Sequence, residues 1–224
     1  MENAQQIAGV VLAGGGSSRM GQDKAHLRPL APPGGGGRDL LAQTHATLAL
    51  VVPVVWVSCR RGGPRPGYDC VEDVFPGLGP IGGLHAALAR ARREGYAALL
   101  AVPCDLPLLD TPTLRRLLDV RNSPAPAGSA TPLMTTYRQA ETGYIEALVA
   151  VYEVAALPLL EAACREGRRQ LNLVIPAERR RDIVYDRAHA RPFHNCNTPA
   201  DLAALAELLG QGLQAGRWNR ARYS

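Results

Sequence analysis

Leu12-Ala-Gly-Gly-Gly-Ser-Ser-Arg-Met-Gly-Gln-Asp-Lys24 follows directly on the apolar run Ile7-Ala-Gly-Val-Val-Leu12, and this junction decides the fold. A short apolar run that stops at a triple glycine reads as a buried strand running into a loop. The loop fits neither common phosphate-binding template. Arg19 stands where a dinucleotide fingerprint needs its third glycine, and Gln22-Asp23 follows Gly21 where a Walker loop needs Lys and Ser/Thr. What remains is strand, triple glycine, Arg19, Met20-Gly21 and Lys24. Glycines let backbone N–H groups approach phosphate oxygens, which Arg19 and Lys24 would neutralise, although a glycine loop after a strand serves structure as readily as it serves phosphate.

The periodicity then alternates. Helical patterns run from Arg38 to Leu50, through Leu84 and Leu88 to Arg93, from Thr111 to Val120, from Val154 to Arg165 and from Thr198 to Leu209. Strand patterns cover Val51 to Val57, Cys70 to Asp73, Tyr96 to Val102 and Ile145 to Tyr152. Thr111-Pro112 reads as a helix start with a capping Thr and Pro in the first turn, and Asp110 beside it suits a cap or turn role better than Asp105 does. Such alternation predicts an α/β fold with a mostly parallel sheet and helices on both faces. No internal repeat or linker divides the chain, so residues 1–224 read as one domain, with a core of about 7–209, a basic tail at 210–224 and a glycine patch at Gly34 to Gly37.

Composition narrows the function classes. At 46% hydrophobic and 20% charged, the chain is of ordinary globular composition. No run approaches the ~18 apolar residues of a membrane span, and the start Met-Glu-Asn-Ala-Gln-Gln is unlike a secretory signal. Five scattered cysteines without a CxxC pair give neither a disulfide framework nor a zinc cage, and a reducing cytoplasm is expected. The formal charge of +5 is spread along the chain, which favours solvated arginines over a nucleic-acid stripe. Of the 25 basic residues, Lys24 is the one lysine. A chain that uses arginine elsewhere keeps a compact ammonium here, where a planar fork fits poorly.

Ligands of open α/β sheets bind beyond the carboxyl ends of the strands. Three polar candidates fall at such ends: the loop after Leu12, Asp73 and Asp105. Pro103 and Pro107 flank Asp105 and hold its backbone extended. Mg²⁺ on substrate phosphates needs one or two carboxylates, a number Asp105 with Asp73 would supply, while Asp73 serves equally well as a nucleotide contact. Gly79-Pro80-Ile81-Gly82-Gly83 opens a helix whose positive end suits a phosphate or base, or else permits close packing on the sheet. Asn195-Cys196-Asn197-Thr198-Pro199 is an Asx turn feeding a helix, or a pair of amides that recognises phosphate or sugar. The cysteines, His85 and Trp56 read as packing residues.

Taken in order, Leu12 to Lys24, Glu72-Asp73, Gly79 to Gly83, Pro103-Cys-Asp-Leu-Pro107 and Asn195-Cys-Asn-Thr-Pro-Ala-Asp201 resemble the molybdenum cofactor guanylyltransferase family across nearly the whole chain. The resemblance implies a Rossmann-like three-layer sandwich of nucleotidyltransferase type. It also implies transfer of GMP from Mg·GTP to molybdopterin, with loss of pyrophosphate. A cytidylyl or sugar-phosphate nucleotidyltransferase is the alternative within the class, and a non-catalytic nucleotide-binding regulator the alternative outside it. By the resemblance, Leu12, Ala13, Gly14, Gly15, Lys24, Asp73, Gly79, Gly83 and Asp105 contact the nucleotide, and Asp105 holds Mg²⁺. Arg19, Lys24 and Asp105 carry the chemistry, while Asn195 and Asn197 face the pterin side. GTP and molybdopterin are the expected substrates and molybdopterin-handling proteins the expected partners, with no nucleic acid and no membrane. Ala13-Gly14-Gly15, where related cytidylyltransferases tend to have Ala-Ala-Gly, favours guanine. Cys59-Arg60 stands where the family often has Asn-Arg, and Glu146-Ala147-Leu148 where relatives usually carry Pro-Leu after the first residue.

Overall fold

Strand β1 (Ile7–Leu12) is central, pairing in parallel with β2 (Val55–Cys59) on one side and β4 (Ala98–Pro103) on the other. The computed structural model describes residues 6–13, 39–124, 128, 130–196, 201 and 205. Among these, β3 (Cys70–Glu72), β5 (Met134–Gln139), β6 (Ile145–Glu153) and β7 (Arg180–Tyr185) complete a seven-stranded sheet ordered β3-β2-β1-β4-β6-β5-β7. Only β6 runs against its neighbours.

Helices cover both faces. α2 (Pro80–Arg93) and α4 (Leu157–Arg165) bury Leu84, Leu88, Leu160 and Ala163 on one face, against Val10, Trp56, Leu99 and Ala101. On the other, α1 (Leu40–Ala49) and α3 (Thr111–Asn122) bury Leu41, Leu48, Leu114 and Leu117 against Val11, Val57, Leu100 and Val102. The result is the three-layer α/β sandwich that the alternating pattern predicts. β4 is buried at every position, as a strand covered on both faces must be.

Local chemistry sets the boundaries. α1 starts where the Asp39 carboxylate accepts from the Ala42 N–H at 2.7 Å. α3 is capped by Asp110, which accepts from Thr113 N–H at 2.9 Å, so the cap is Asp110 and Thr111 is the first helical residue. The second strand begins later than its apolar run suggests, because Val51 and Val52 still donate to the Leu48 carbonyl and extend the end of α1. Val154–Ala156 forms a 3₁₀ turn before α4. Of the C-terminal helix expected from Thr198 to Leu209, Asp201 and Leu205 are helical, and the rest lies outside the described residues.

Two strands depart from the sequence reading. β5 and β6 form a hairpin whose turn places Gly143 at φ +70, which makes β6 antiparallel. β7 contains Arg180-Arg181, part of what reads in sequence as a solvated basic run. It is an edge strand that buries Ile183 and Tyr185 and pairs its charges, with Arg138 and Arg180 both near Asp182.

Gly83 brings α2 onto the sheet. A methyl group at this position would lie well inside contact distance of Ser58 Oγ and 3.1 Å from Ser58 Cβ, with Leu12 Cδ2 at 3.7 Å. Ser58 is buried, so it has nowhere to retreat. Gly83→Ala is therefore expected to lower unfolding stability by about 1–3 kcal/mol, read as a lower urea midpoint at an unchanged slope.

Candidate active site

Because β3, β2, β1 and β4 are mutually parallel, their carboxyl ends share one edge, and the segments that leave them carry the candidate residues. Leu12 pairs with Pro103 at the last register position, so Ala13 and Cys104 leave the sheet side by side, with Asp105 next. Leu12 and Ala13 are buried, and Asp105 is half-exposed. The Asp105 carbonyl accepts from Cys196 N–H at 2.9 Å, which draws the exposed Asn195 to the same place. Gly14, Gly15, Arg19, Lys24 and Asn197 lie outside the described residues.

Asp73 is at this edge too, but apart from Asp105. β2 and β1 separate their strands, so three strand spacings of ~4.8 Å put the two strand ends about 14 Å apart. That spacing favours the nucleotide contact for Asp73 over a metal shared with Asp105. Asp73 is engaged locally. Its Oδ1 accepts from Phe75 N–H at 2.8 Å, and its Oδ2 lies 2.5 Å from where a Cβ on Gly82 would be. Burial holds this carboxyl above its usual range, against the opposing pull of the Phe75 N–H and His85. Gly79, at φ +72, opens α2 ahead of Pro80. Close packing thus accounts for the two glycines at 82 and 83, and the positive end of α2 meets the carboxylate of Asp73 at its first turn.

Cys59 ends β2, where the family often has an amide. Its thiol points across to the Val71 carbonyl at 3.7 Å, and burial together with the neighbouring Cys70 pushes it up to about 11, so it stays protonated at neutral pH. Arg65, in the glycine- and proline-rich loop after β2, reaches back to donate to the Ala13 carbonyl at 3.1 Å. Sequence reasoning missed that brace; a loop arginine gives no sign of where its long side chain ends.

Behind this half of the site, His85 on α2 is 8% exposed and meets Phe75 edge-on at 5.0 Å between centroids. Its Nδ1 is buried with no hydrogen-bond partner among the described residues. Burial lowers its affinity for protons, against the attraction of Glu161 and Asp73. The unfolded chain then binds a proton near the ordinary value of 6.5 that the folded chain resists, so stability falls as pH drops below that value. His85→Leu is expected to shrink the loss of Tm between pH 7.5 and 5.5 while leaving the protein at least as stable at pH 7.5. An unchanged pH profile would contradict this account of His85.

No three His, Cys, Asp or Glu side chains among the described residues converge as a metal site. Asp105, just past the end of β4, offers a hard oxygen donor, which would suit Mg²⁺ with substrate phosphates completing its shell. The free thiols, four buried and one half-buried, are packing residues as expected. Trp56 is likewise fully buried, with the Arg90 guanidinium 4.5 Å above its ring. No helix among the described residues is long and apolar enough to cross a membrane.

A three-layer sandwich whose central strand runs into a glycine-rich sequence, with a carboxylate just past the end of the adjacent parallel strand, fits the Rossmann-like nucleotidyltransferase class. Residues 9–181 match the family described as the MobA-like NTP transferase domain, and the chain belongs to that family. It is 37% identical over 198 residues to the molybdenum cofactor guanylyltransferase of Xanthomonas euvesicatoria, covering 88% of this chain and 93% of that one. Its fold is similar to that of molybdopterin-guanine dinucleotide biosynthesis protein A from Archaeoglobus fulgidus, with TM-score 0.67 and 22% identity over 92% of this chain and all of that one. It is also similar to 4-diphosphocytidyl-2C-methyl-D-erythritol synthase from Anaerococcus prevotii, with TM-score 0.61 and 10% identity over 92% of this chain and 97% of that one.

Proposed function

We propose that this protein transfers GMP from Mg·GTP to molybdopterin. The terminal phosphate oxygen of molybdopterin attacks the α-phosphorus, the bond between the α-phosphorus and its bridging oxygen breaks, and pyrophosphate leaves. The observation that carries the reading is the shared strand edge, where Ala13, Asp73 and Asp105 leave neighbouring parallel strands. Family membership and the substrate named for the Xanthomonas relative support it.

The attacking phosphate is already anionic near neutral pH, so positioning and charge neutralisation carry the catalysis, with little demand for a general base. Mg²⁺ on Asp105 would supply Lewis acidity at the α-phosphate. Lys24 and Arg19 neutralise charge on the departing pyrophosphate, Leu12 to Gly15 and the α2 start from Gly79 to Gly83 hold the nucleotide, and Asp73 lies on its nucleoside side. Asn195 and Asn197 face the acceptor.

A cytidylyl transfer is the second reading, since the thiol of Cys59, turned onto β3, supplies no amide for base selection where the family often has one. Pyrophosphate release measured with GTP, CTP and UTP, each with and without molybdopterin, separates the two. The proposal expects molybdopterin-dependent release with GTP at least tenfold faster than with CTP or UTP. Faster release with CTP would assign the protein to cytidylyl transfer, and GTP binding without Mg²⁺-dependent release would make it a nucleotide-binding regulator.

A further inference from the structure

The half of the sheet beyond Asp105 carries a side-chain cluster outside the proposed nucleotide site. Ala101 of β4 pairs antiparallel with Ala150 of β6, so Asp105, four residues on, and Glu146, four residues back, leave the pairing at the same end. Glu146 is half-buried, and its Oε1 accepts from the Tyr185 hydroxyl at 2.5 Å. Its second oxygen has no hydrogen-bond partner among the described residues, and it is not sealed from solvent.

The ring that anchors this carboxylate belongs to an aromatic cluster. Tyr185 leans on Phe193 at 4.5 Å between centroids, and Phe193 on Tyr137 at 4.9 Å. Tyr144, 59% exposed, lies two residues before Glu146 and feels its charge. The chain runs from Phe193 to Cys196, whose N–H is bonded to the Asp105 carbonyl. One continuous segment therefore links the aromatic cluster to the proposed metal carboxylate, on the side of Asp105 opposite to Ala13 and Asp73.

An anchored carboxylate with one oxygen still able to accept, with the exposed ring of Tyr144 on its segment and the half-exposed ring of Phe193 on its anchor, suits a flat heterocycle that presents adjacent N–H donors. The 2-amino-4-oxopyrimidine edge of a pterin is such a group, with its ring N–H and exocyclic amine side by side. Stacking on the rings supplies area, and the charged acceptor supplies orientation. We infer that Glu146, held by Tyr185, binds the 2-amino-4-oxopyrimidine edge of the acceptor's pterin beside Asp105. The inference rests on the proposed molybdopterin acceptor. Guanine carries the same edge, so the pocket's position on the acceptor half is what assigns it to the pterin.

Fluorescence titration of the purified protein with 6-hydroxymethylpterin tests this directly. Wild type is expected to bind saturably, Glu146→Ala to weaken binding at least about tenfold, and Glu146→Gln, which keeps a partner for the Tyr185 hydroxyl, to fall between them. GTP with Mg²⁺ is expected to leave the pterin bound. Absent binding by wild type, or equal binding by Glu146→Ala, overturns the assignment, and competitive displacement by GMP reassigns the pocket to guanine. Pterin binding that persists in a wild-type protein unable to release pyrophosphate from GTP upholds the pocket while refuting the proposed reaction.

Discussion

Purified Asp105→Asn protein is expected to keep its fold and lose kcat by about 10²–10³-fold, close to 3–4 kcal/mol of transition-state stabilisation. The substitution removes a charge and retains the shape. The link that fixes this turn, from Cys196 N–H to the Asp105 carbonyl, is made by the backbone and survives the change. The buried β4 that leads to it is untouched. The variant's Tm should therefore match wild type while its Mg²⁺-dependent pyrophosphate release collapses. Near-normal release from a well-folded variant would remove Asp105 from the reaction. The same substitution at Asp73 is expected to raise KM for the nucleotide more than it lowers kcat, because β3 lies three strand spacings from β4 and Asp73 is proposed to contact the nucleoside.

Lys24→Ala is the second large effect: kcat/KM for GTP is expected to fall by about 10²–10³-fold with no change in urea midpoint. The informative companion is Lys24→Arg. A chain whose other basic residues are all arginine has kept one ammonium, twelve residues past the end of the central strand. If compactness is the reason, arginine restores charge without restoring geometry, and the variant stays at least tenfold below wild type. Full activity in Lys24→Arg would show that charge alone is required there.

The parts of this architecture set by local chemistry were legible. The apolar run to Leu12 and the proline-marked helix starts at Pro80 and Thr111-Pro112 each act over a few residues, and each stands where the sequence predicts; Cys104 and Asp105 instead form a turn, not the extended backbone that the flanking prolines suggest. So does the gathering of Ala13, Asp73 and Asp105 at one edge, because parallel strands joined by helices leave no other arrangement.

What escaped depends on partners distant in sequence. Arg180 and Arg181 read as solvent-facing until β5 pairs with their strand and Asp182 lies between Arg138 and Arg180. The separation of Asp73 from Asp105 needs the strand order, which no local pattern contains. Glu146 looks like an ordinary exposed carboxylate of a half-buried strand; the hydroxyl that anchors it comes from 39 residues further along the chain.

Diffraction from crystals soaked with Mn²⁺ and a non-hydrolysable GTP analogue tests the central claim most directly. The expected result is an anomalous peak at about the 2.0–2.2 Å of a hard-cation bond from the Asp105 carboxylate, shared with triphosphate oxygens that also lie against the loop after Leu12. A nucleotide seated at the edge with its metal on Asp73, or a peak with no contact to Asp105, would contradict it.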